Sequence, residues 1–314
     1  MRYPLQTLHE HLGVALPVVE LLTLLGQGFH AGRVETLLAE PVGGVGGEHE
    51  QGFQALLPGA PFQVAQHLQA ALAVAVVRVH GHAWAGDNSI LPDGFSFRTG
   101  VTTMVDTGSA GWHNLEDFRY RVIDRFATRA YAFVNIVGLG MATANTEQNV
   151  ADMDPRRTAD MAREHEDIVV GIKTAHYWAP DWTSVDRAIE AGARADRPIM
   201  VDFGFFRRER PYYQLVGEKL RPGDISTHMY RGPVPCIGRD GKVLPYLHDA
   251  RRRGVLFDAG HGAGSFVFRN VVPCVEQGFY PDSISTDLHT SSMNTGMLDM
   301  ATTMSKFLVI GMPL

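Results

Sequence analysis

From residue 100 onward one pattern repeats along the chain: a short β-branched run ends in a polar residue, and a stretch with charges on one helical face follows. The apolar runs are 101–105, 132–137, 168–172, 198–201, 224–226, 255–257 and 283–285, about 25 to 38 residues apart. Helix candidates fill the gaps at 114–126, 155–166, 184–195, 245–253 and 270–277. Strands and helices alternating at this spacing are βαβ units, and right-handed crossovers build them into a parallel sheet. An eighth strand just before Ala85 lets that sheet close, so the expected fold is α/β, a (β/α)8 TIM barrel. The competing arrangement is an open doubly wound sheet. No strand here is followed by a G-x-G-x-x-G turn, however, and residues 260–264 lack that spacing.

Upstream the pattern stops. Residues 1–80 contain no Asp, Asn, Lys, Ser, Ile, Cys or Trp, whereas Asp and Ser are common from Asp87 onward. Local signals there disagree: 18–25 and 62–77 carry helix-like patterns, while 41–47 is a Gly/Val loop. The expected organisation is an atypical segment at 1–80, non-native or disordered, followed by the barrel at 81–314. Translation of an incorrect reading frame or a wrong start would produce such a segment; a small domain of biased composition is the alternative.

Composition narrows the partners. A net charge of −6, a pI near 6.1 and the lack of a basic stripe interleaved with aromatics argue against nucleic acid. The apolar run 70–77 is far shorter than the roughly 20 residues of a membrane span. Glu20 interrupts 16–25, so no signal-peptide core is expected, and no membrane association either. Cys236 and Cys274 are too few for a disulfide framework and read as core thiols in a reducing cytoplasm. A homo-oligomer is left open.

In a closed barrel the C-terminal strand ends converge on one mouth. Read in order, those ends carry Asp106, Asn135, Lys173, Asp202, His228, Asp258, His261, Asp287 and His289. Imidazole nitrogen and carboxylate oxygen are the ligand types that suit zinc and similar divalent ions. Lys173 closes an apolar strand, where it either pairs with a carboxylate or, its pKa lowered by burial, takes up carbon dioxide as a carbamate able to bridge two ions. Asp287 ends the last strand and serves as metal ligand, proton acceptor or helix N-cap. His228 is a ligand candidate. His261, within Gly260-His261-Gly262-Ala263-Gly264, contacts substrate or satisfies a tight turn.

Six blocks in order extend the pattern over about 230 residues. They are Ala85-Gly86-Asp87-Asn88-Ser89, Gly100-Val101-Thr102-Thr103-Met104-Val105-Asp106 with Gly108-Ser109-Ala110-Gly111-Trp112, and Gly171-Ile172-Lys173. Asp224-Ile225-Ser226-Thr227-His228, Phe257-Asp258-Ala259-Gly260-His261-Gly262 and Ile284-Ser285-Thr286-Asp287-Leu288-His289 complete the set. Together they resemble the amidohydrolase/deacetylase-type metallohydrolases, close to dihydroorotase-like and N-acyl amino acid deacetylase-like members of the amidohydrolase superfamily. The resemblance implies a barrel of the metal-dependent hydrolase type that cleaves amide or cyclic amide bonds with one or two divalent ions, usually zinc. It implies Lys173 as a carboxylated bridging ligand, His228 as a ligand from the sixth strand, and Asp287 as ligand and general base.

Three departures from the family pattern stand out. Asp202 occupies the fifth-strand position that is usually His; a carboxylate still binds zinc, with altered charge and bite. His80-Gly81-His82 has the form of the family's first-strand His pair, but Gly86 follows only four positions after His82, so it is either that ligand pair or a chance match. The chain also stops just after the last barrel helix, where the family continues into a closing segment, and is expected to be incomplete at both ends. The substrate is expected to be a small-molecule amide, with His176, Tyr177, Arg231, His261 and His289 as candidates to hold it. Cyclic-amide hydrolysis of the dihydroorotase type, and a catalytically impaired barrel, are the alternatives.

Overall fold

The computed structural model describes residues 76–84 and 89–313, with the backbone alone for 76–80. The upstream helix pattern at 18–25, that at 62–77 up to residue 75, the motif residues 85–88 and the side chain of His80 lie outside the described residues. Val76 and Val77, at the end of the second pattern, are strand and not helix because they pair in parallel with the next strand. Seven strands form one parallel sheet in sequential order: β1 (Val76–Gly81), β2 (Val101–Gly111), β3 (Arg129–Asn135), β4 (Val169–Ala175), β5 (Ile199–Asp202), β6 (Ile225–Thr227) and β7 (Leu256–Phe257). Residues 283–288 run between the two edges of this sheet. Ser283 bridges Asp258 in parallel beside β7, and Leu288 bridges Gly81 of β1 in parallel, with His82 N donating to the Leu288 carbonyl at 3.1 Å. The first strand begins at Val76 and so straddles the compositional break.

Strand residues alternate between two environments, as a period of two demands. On β5, Ile199 and Val201 join the large core between sheet and helices, whereas Met200 joins Val105 of β2 and Phe133 of β3 on the opposite face. Asp202 follows Met200 on that inner face, one pleat nearer the strand end. An apolar plug therefore floors the polar mouth.

The helices are α1 (Pro92–Ser96), α2 (Leu115–Phe118), α3 (Pro155–Glu164), α4 (Thr183–Ala195), α5 (Tyr212–Gln214), α6 (Pro245–Arg252), α7 (Phe268–Glu276) and α8 (Met300–Val309), of which α3, α4, α6 and α7 are clearly amphipathic. Leu115, Ala159, Ala188, Leu247 and Cys274 pack against Val134, Ile172, Val201 and Phe257 of the strands. Asp154 caps α3 by accepting from the Arg156 and Arg157 amides at 2.9 and 3.1 Å, with Pro155 in the first turn. Such a cap contributes about 1 kcal/mol. The helix expected over 114–126 is not uniform: α2 widens into a π turn at Arg119–Ile123, from which Arg119 forks onto both oxygens of Asp167 at 2.9 and 2.6 Å. Helix α5, continued by a π turn at Leu215–Lys219, has no counterpart in the pattern reading, because Tyr212, Tyr213 and Gly217 are poor helix formers.

Candidate active site

The strand ends surround a cavity of about 290 Å³ lined by His82, Lys173, His176, Asp202, His228 and Asp287, among others. Lys173 comes from β4, Asp202 ends β5, His228 follows β6, and Asp287 lies in the 283–288 run. His176, His228 and Asp287 stand just past their strands in the left-handed backbone region, at φ +50, +57 and +49. Non-glycine residues there cost about 1–3 kcal/mol each and persist where surrounding structure holds them. Here the reversal turns each side chain toward the mouth.

Asp287 joins both sides of the cavity. Its Oδ1 lies 3.2 Å from His82 Nε2, and its Oδ2 lies 4.0 Å from His228 Nε2 and 3.8 Å from His289 Nε2. Gly262 makes room for it: a Cβ at that position would stand 2.5 Å from Asp287 Oδ2. His82 Nδ1 meets Ser109 Oγ at 3.0 Å, and His228 Nδ1 meets the Gly260 carbonyl at 2.6 Å. Donation from Nδ1 to that carbonyl fixes the His228 tautomer and leaves Nε2 as the nitrogen facing the cavity.

Lys173 is 1% exposed, and its Nζ donates to Met200 Sδ at 3.5 Å, a weak acceptor, which is its one hydrogen bond among the described residues. Burial pushes its pKa below the ordinary lysine value against the pull of Asp202, Asp287, Asp258 and Glu147. Gly108, at φ +92, admits the lysine stem, since a Cβ there would lie 2.5 Å from Lys173 Cγ.

Asp202 is engaged at both oxygens. Arg231 Nη1 donates to Oδ1 at 3.0 Å, while His176 Nε2 lies 2.9 Å and His228 Nε2 3.4 Å from Oδ2. Burial would raise the Asp202 pKa, but His228 and His176 outweigh it and hold the carboxyl well below its ordinary range. Burial likewise opposes protonation of His176, yet Asp202 and Glu147 carry its pKa up to about 10.

Not every polar strand-end residue reaches the cavity. Asp106 is buried and accepts from the Ala83 and Ser109 amides at 2.7 and 2.9 Å, tying β1 to β2. Asn135 donates to the Gly108 carbonyl at 3.0 Å. Asp258 accepts from the Thr227, Ser283 and Ser285 hydroxyls at 2.6, 2.6 and 2.7 Å, joining β6 and β7 to the 283–288 run. These three are structural braces. Of the candidate substrate contacts, His176, Arg231 and His289 line the cavity, whereas Tyr177 and His261 do not. The Tyr177 hydroxyl turns away to Asp181 at 3.1 Å, and His261 stacks on Phe266 while its Nε2 accepts from Lys306 Nζ at 2.8 Å. Both sit where a neighbouring side chain satisfies them outside the mouth.

Sequence reasoning missed Glu147, Ser109, Trp84 and Met141. The last three line the cavity, and Glu147 Oε2 holds His176 Nδ1 at 2.9 Å. Ser109 lies within a recognised block, but Glu147 sits on a short 3-10 turn, Thr146–Gln148, that no periodicity marks. A surface group, Glu116, Glu164 and His165, also brings three ligand atoms within 4.8 Å of one another, but both carboxylates are exposed and the group does not line the cavity.

The donor chemistry of the cavity fits a divalent ion. Two imidazoles and a carboxylate converge, and beside them a buried amine has only a thioether as acceptor among the described residues. Fold and site together define a parallel α/β protein whose histidine, carboxylate and lysine groups meet at the strand ends.

Comparison with known proteins agrees. The chain is 36% identical over 248 residues to a deacetylase of Brucella anthropi, covering 76% of this chain and 61% of that protein. It is also 36% identical over 248 residues to a deacetylase of Agrobacterium fabrum, covering 76% of this chain and 60% of that one. Among solved structures, a dihydroorotase superposes with TM-score 0.68 at 34% identity, covering 76% of this chain and 68% of that one. An adenine deaminase superposes with TM-score 0.70 at 26% identity over 75% of this chain and 66% of that one. No family model matches the chain. The chain belongs to the amidohydrolase superfamily. It spans about three fifths of the length of the curated deacetylases it matches. Among the described residues no helix is long and apolar enough to cross a membrane.

Proposed function

We propose that this chain hydrolyses an amide bond of the N-acyl, deacetylase kind, using a divalent ion held by His82, Lys173, His228 and Asp287. The carrying observation is the meeting of Asp287 with His82 and His228 around one cavity, from three distant parts of the chain. We read the two parallel bridges of residues 283–288 as closing an eight-stranded (β/α)8 barrel, which brings those strand ends to one mouth. Zinc suits nitrogen and carboxylate ligands. When bound, the ion supplies Lewis acidity, activating water and polarising the scissile carbonyl.

The chain's own residues do the rest. Asp287 accepts the proton of the attacking water and returns it to the leaving nitrogen. Lys173, with a depressed pKa, offers a neutral amine that takes up carbon dioxide, loses one proton and becomes a carbamate oxygen donor. The Gly260 carbonyl holds His228 in one tautomer. His176, Arg231 and His289 face the cavity and receive the polar end of the substrate.

A second reading, hydrolysis of a cyclic amide, is favoured by the likeness to a solved dihydroorotase at 34% identity. Both readings share the same proton acceptor. A panel of N-acetyl amino acids, acyclic acyl esters and cyclic ureides, assayed before and after chelation and zinc reloading, tests them. Turnover confined to cyclic ureides replaces the first reading with the second, and the absence of zinc-dependent turnover across the panel ends both.

A further inference from the structure

Among the groups at the mouth, four side chains are joined to one another by direct polar contacts. Arg231 and His176 take the two oxygens of Asp202 at 3.0 and 2.9 Å, and Glu147 takes the second nitrogen of His176 at 2.9 Å. Each ring nitrogen of His176 thus has a carboxylate within hydrogen-bond distance. His228 Nε2 also lies 3.4 Å from Asp202 Oδ2, so this carboxylate is shared among three side chains. A dication against Asp202 would have to stand beside a permanent guanidinium.

The backbone is built around this arrangement. His176 adopts φ +50, and its carbonyl accepts from Gln148 Nε2 at 2.9 Å, on the same short turn that carries Glu147. Gly204 sits in the crook, where a Cβ would come within 3.1 Å of Arg231 Nη1, 3.3 Å of His176 Cδ2 and 3.4 Å of Asp202 Oδ1. Glu147 is 4% exposed, so its carboxylate is committed to the protein interior. None of these features is needed if Asp202 simply ligates an ion.

We propose that the chain binds a single divalent ion, on the His82–Asp287 side of the cavity, and that the Glu147–His176–Asp202–Arg231 set occupies the place a second ion would take. The inference rests on the metallohydrolase reading above. It makes Asp202 a positioning residue rather than a ligand, and lets a Lys173 carbamate serve one ion instead of bridging two.

The test counts ions. The purified chain is stripped with a chelator, dialysed against a range of free zinc and measured by elemental analysis; a parallel sample loaded with manganese is examined by electron paramagnetic resonance. One zinc per chain and the signal of an isolated manganese ion are expected. Asp202→Asn is expected to retain one zinc with affinity changed less than threefold, and Arg231→Met, which frees Asp202 Oδ1, to admit a second. Two zinc ions or a spin-coupled manganese pair in the unaltered chain overturns the inference and leaves the hydrolase reading standing. Loss of the ion in a folded Asp202→Asn variant also overturns it. No bound ion in the unaltered chain overturns both.

Discussion

His82 Nε2 lies 3.2 Å from Asp287 Oδ1 across 205 residues of sequence, linking the end of the first strand to the run that bridges both sheet edges. This contact places a carboxylate beside an imidazole at the mouth, and Ser109 steadies the far side of that imidazole.

Replacing Asp287 with Asn keeps the shape of the group and removes its basicity. kcat is expected to fall by about 10²–10⁴-fold, the ordinary contribution of a positioned acid or base. Zinc content should stay near the unaltered value, and steady-state kinetics alongside elemental analysis checks both. Undiminished turnover would remove Asp287 from its assigned role.

Gly262 carries a prediction of its own. It adopts φ +50, and a Cβ would meet Asp287 Oδ2 at 2.5 Å, so Gly262→Ala combines backbone strain with displacement of the carboxylate. The strain should cost about 1–2 kcal/mol in a denaturant titration. The displacement should reduce kcat by at least about tenfold, since a shift near 1 Å at a reacting group is costly. An active variant with unchanged stability would show that the loop moves freely.

Lys173 has a stability signature distinct from its chemistry. Its amine is buried with a thioether as acceptor, so Lys173→Met replaces a poorly satisfied polar group with an apolar one of similar length. The metal-free variant should be as stable as the unaltered chain, or more stable by about 1 kcal/mol, while zinc binding and activity are lost. A fall in Tm of several degrees would mean that the amine makes a strong interaction in the folded state.

His261 sets an acid limit. Burial, helped by Lys306, lowers its pKa to about 4 even though the Gly262 carbonyl pulls the other way. The unfolded chain binds this proton near pH 6.5 and the folded chain only near 4, so the favourable term is complete above about 6.5 and fades as pH falls toward 4. The loss is on the order of 3 kcal/mol. Denaturation midpoints measured between pH 7 and 4 should fall steeply for the unaltered chain and less for His261→Gln. Parallel curves would assign the acid limit to other groups.

Much of this architecture was legible in the chain alone. Short β-branched runs ending in Lys173, Asp202 and His228 revealed both the strands and the residues at their mouth, because a parallel strand buried on both faces tolerates polar groups only at its end. The expected helices at 155–166, 184–195, 245–253 and 270–277 were found close to their limits, since each carries an apolar stripe of helical period.

Tertiary structure alone decided the division of labour among polar residues with equal local credentials. His176 and Tyr177 are neighbours, yet a left-handed backbone at His176 sends its ring into the cavity while Tyr177 leaves toward Asp181. Asp258 and Asp202 both stand at strand ends; one is consumed by three hydroxyls and the other by an arginine and two histidines from elsewhere in the chain. Sequence period fixes which face a side chain takes, but whether its charge is already satisfied depends on partners some 30 residues away, brought near only when the strands assemble.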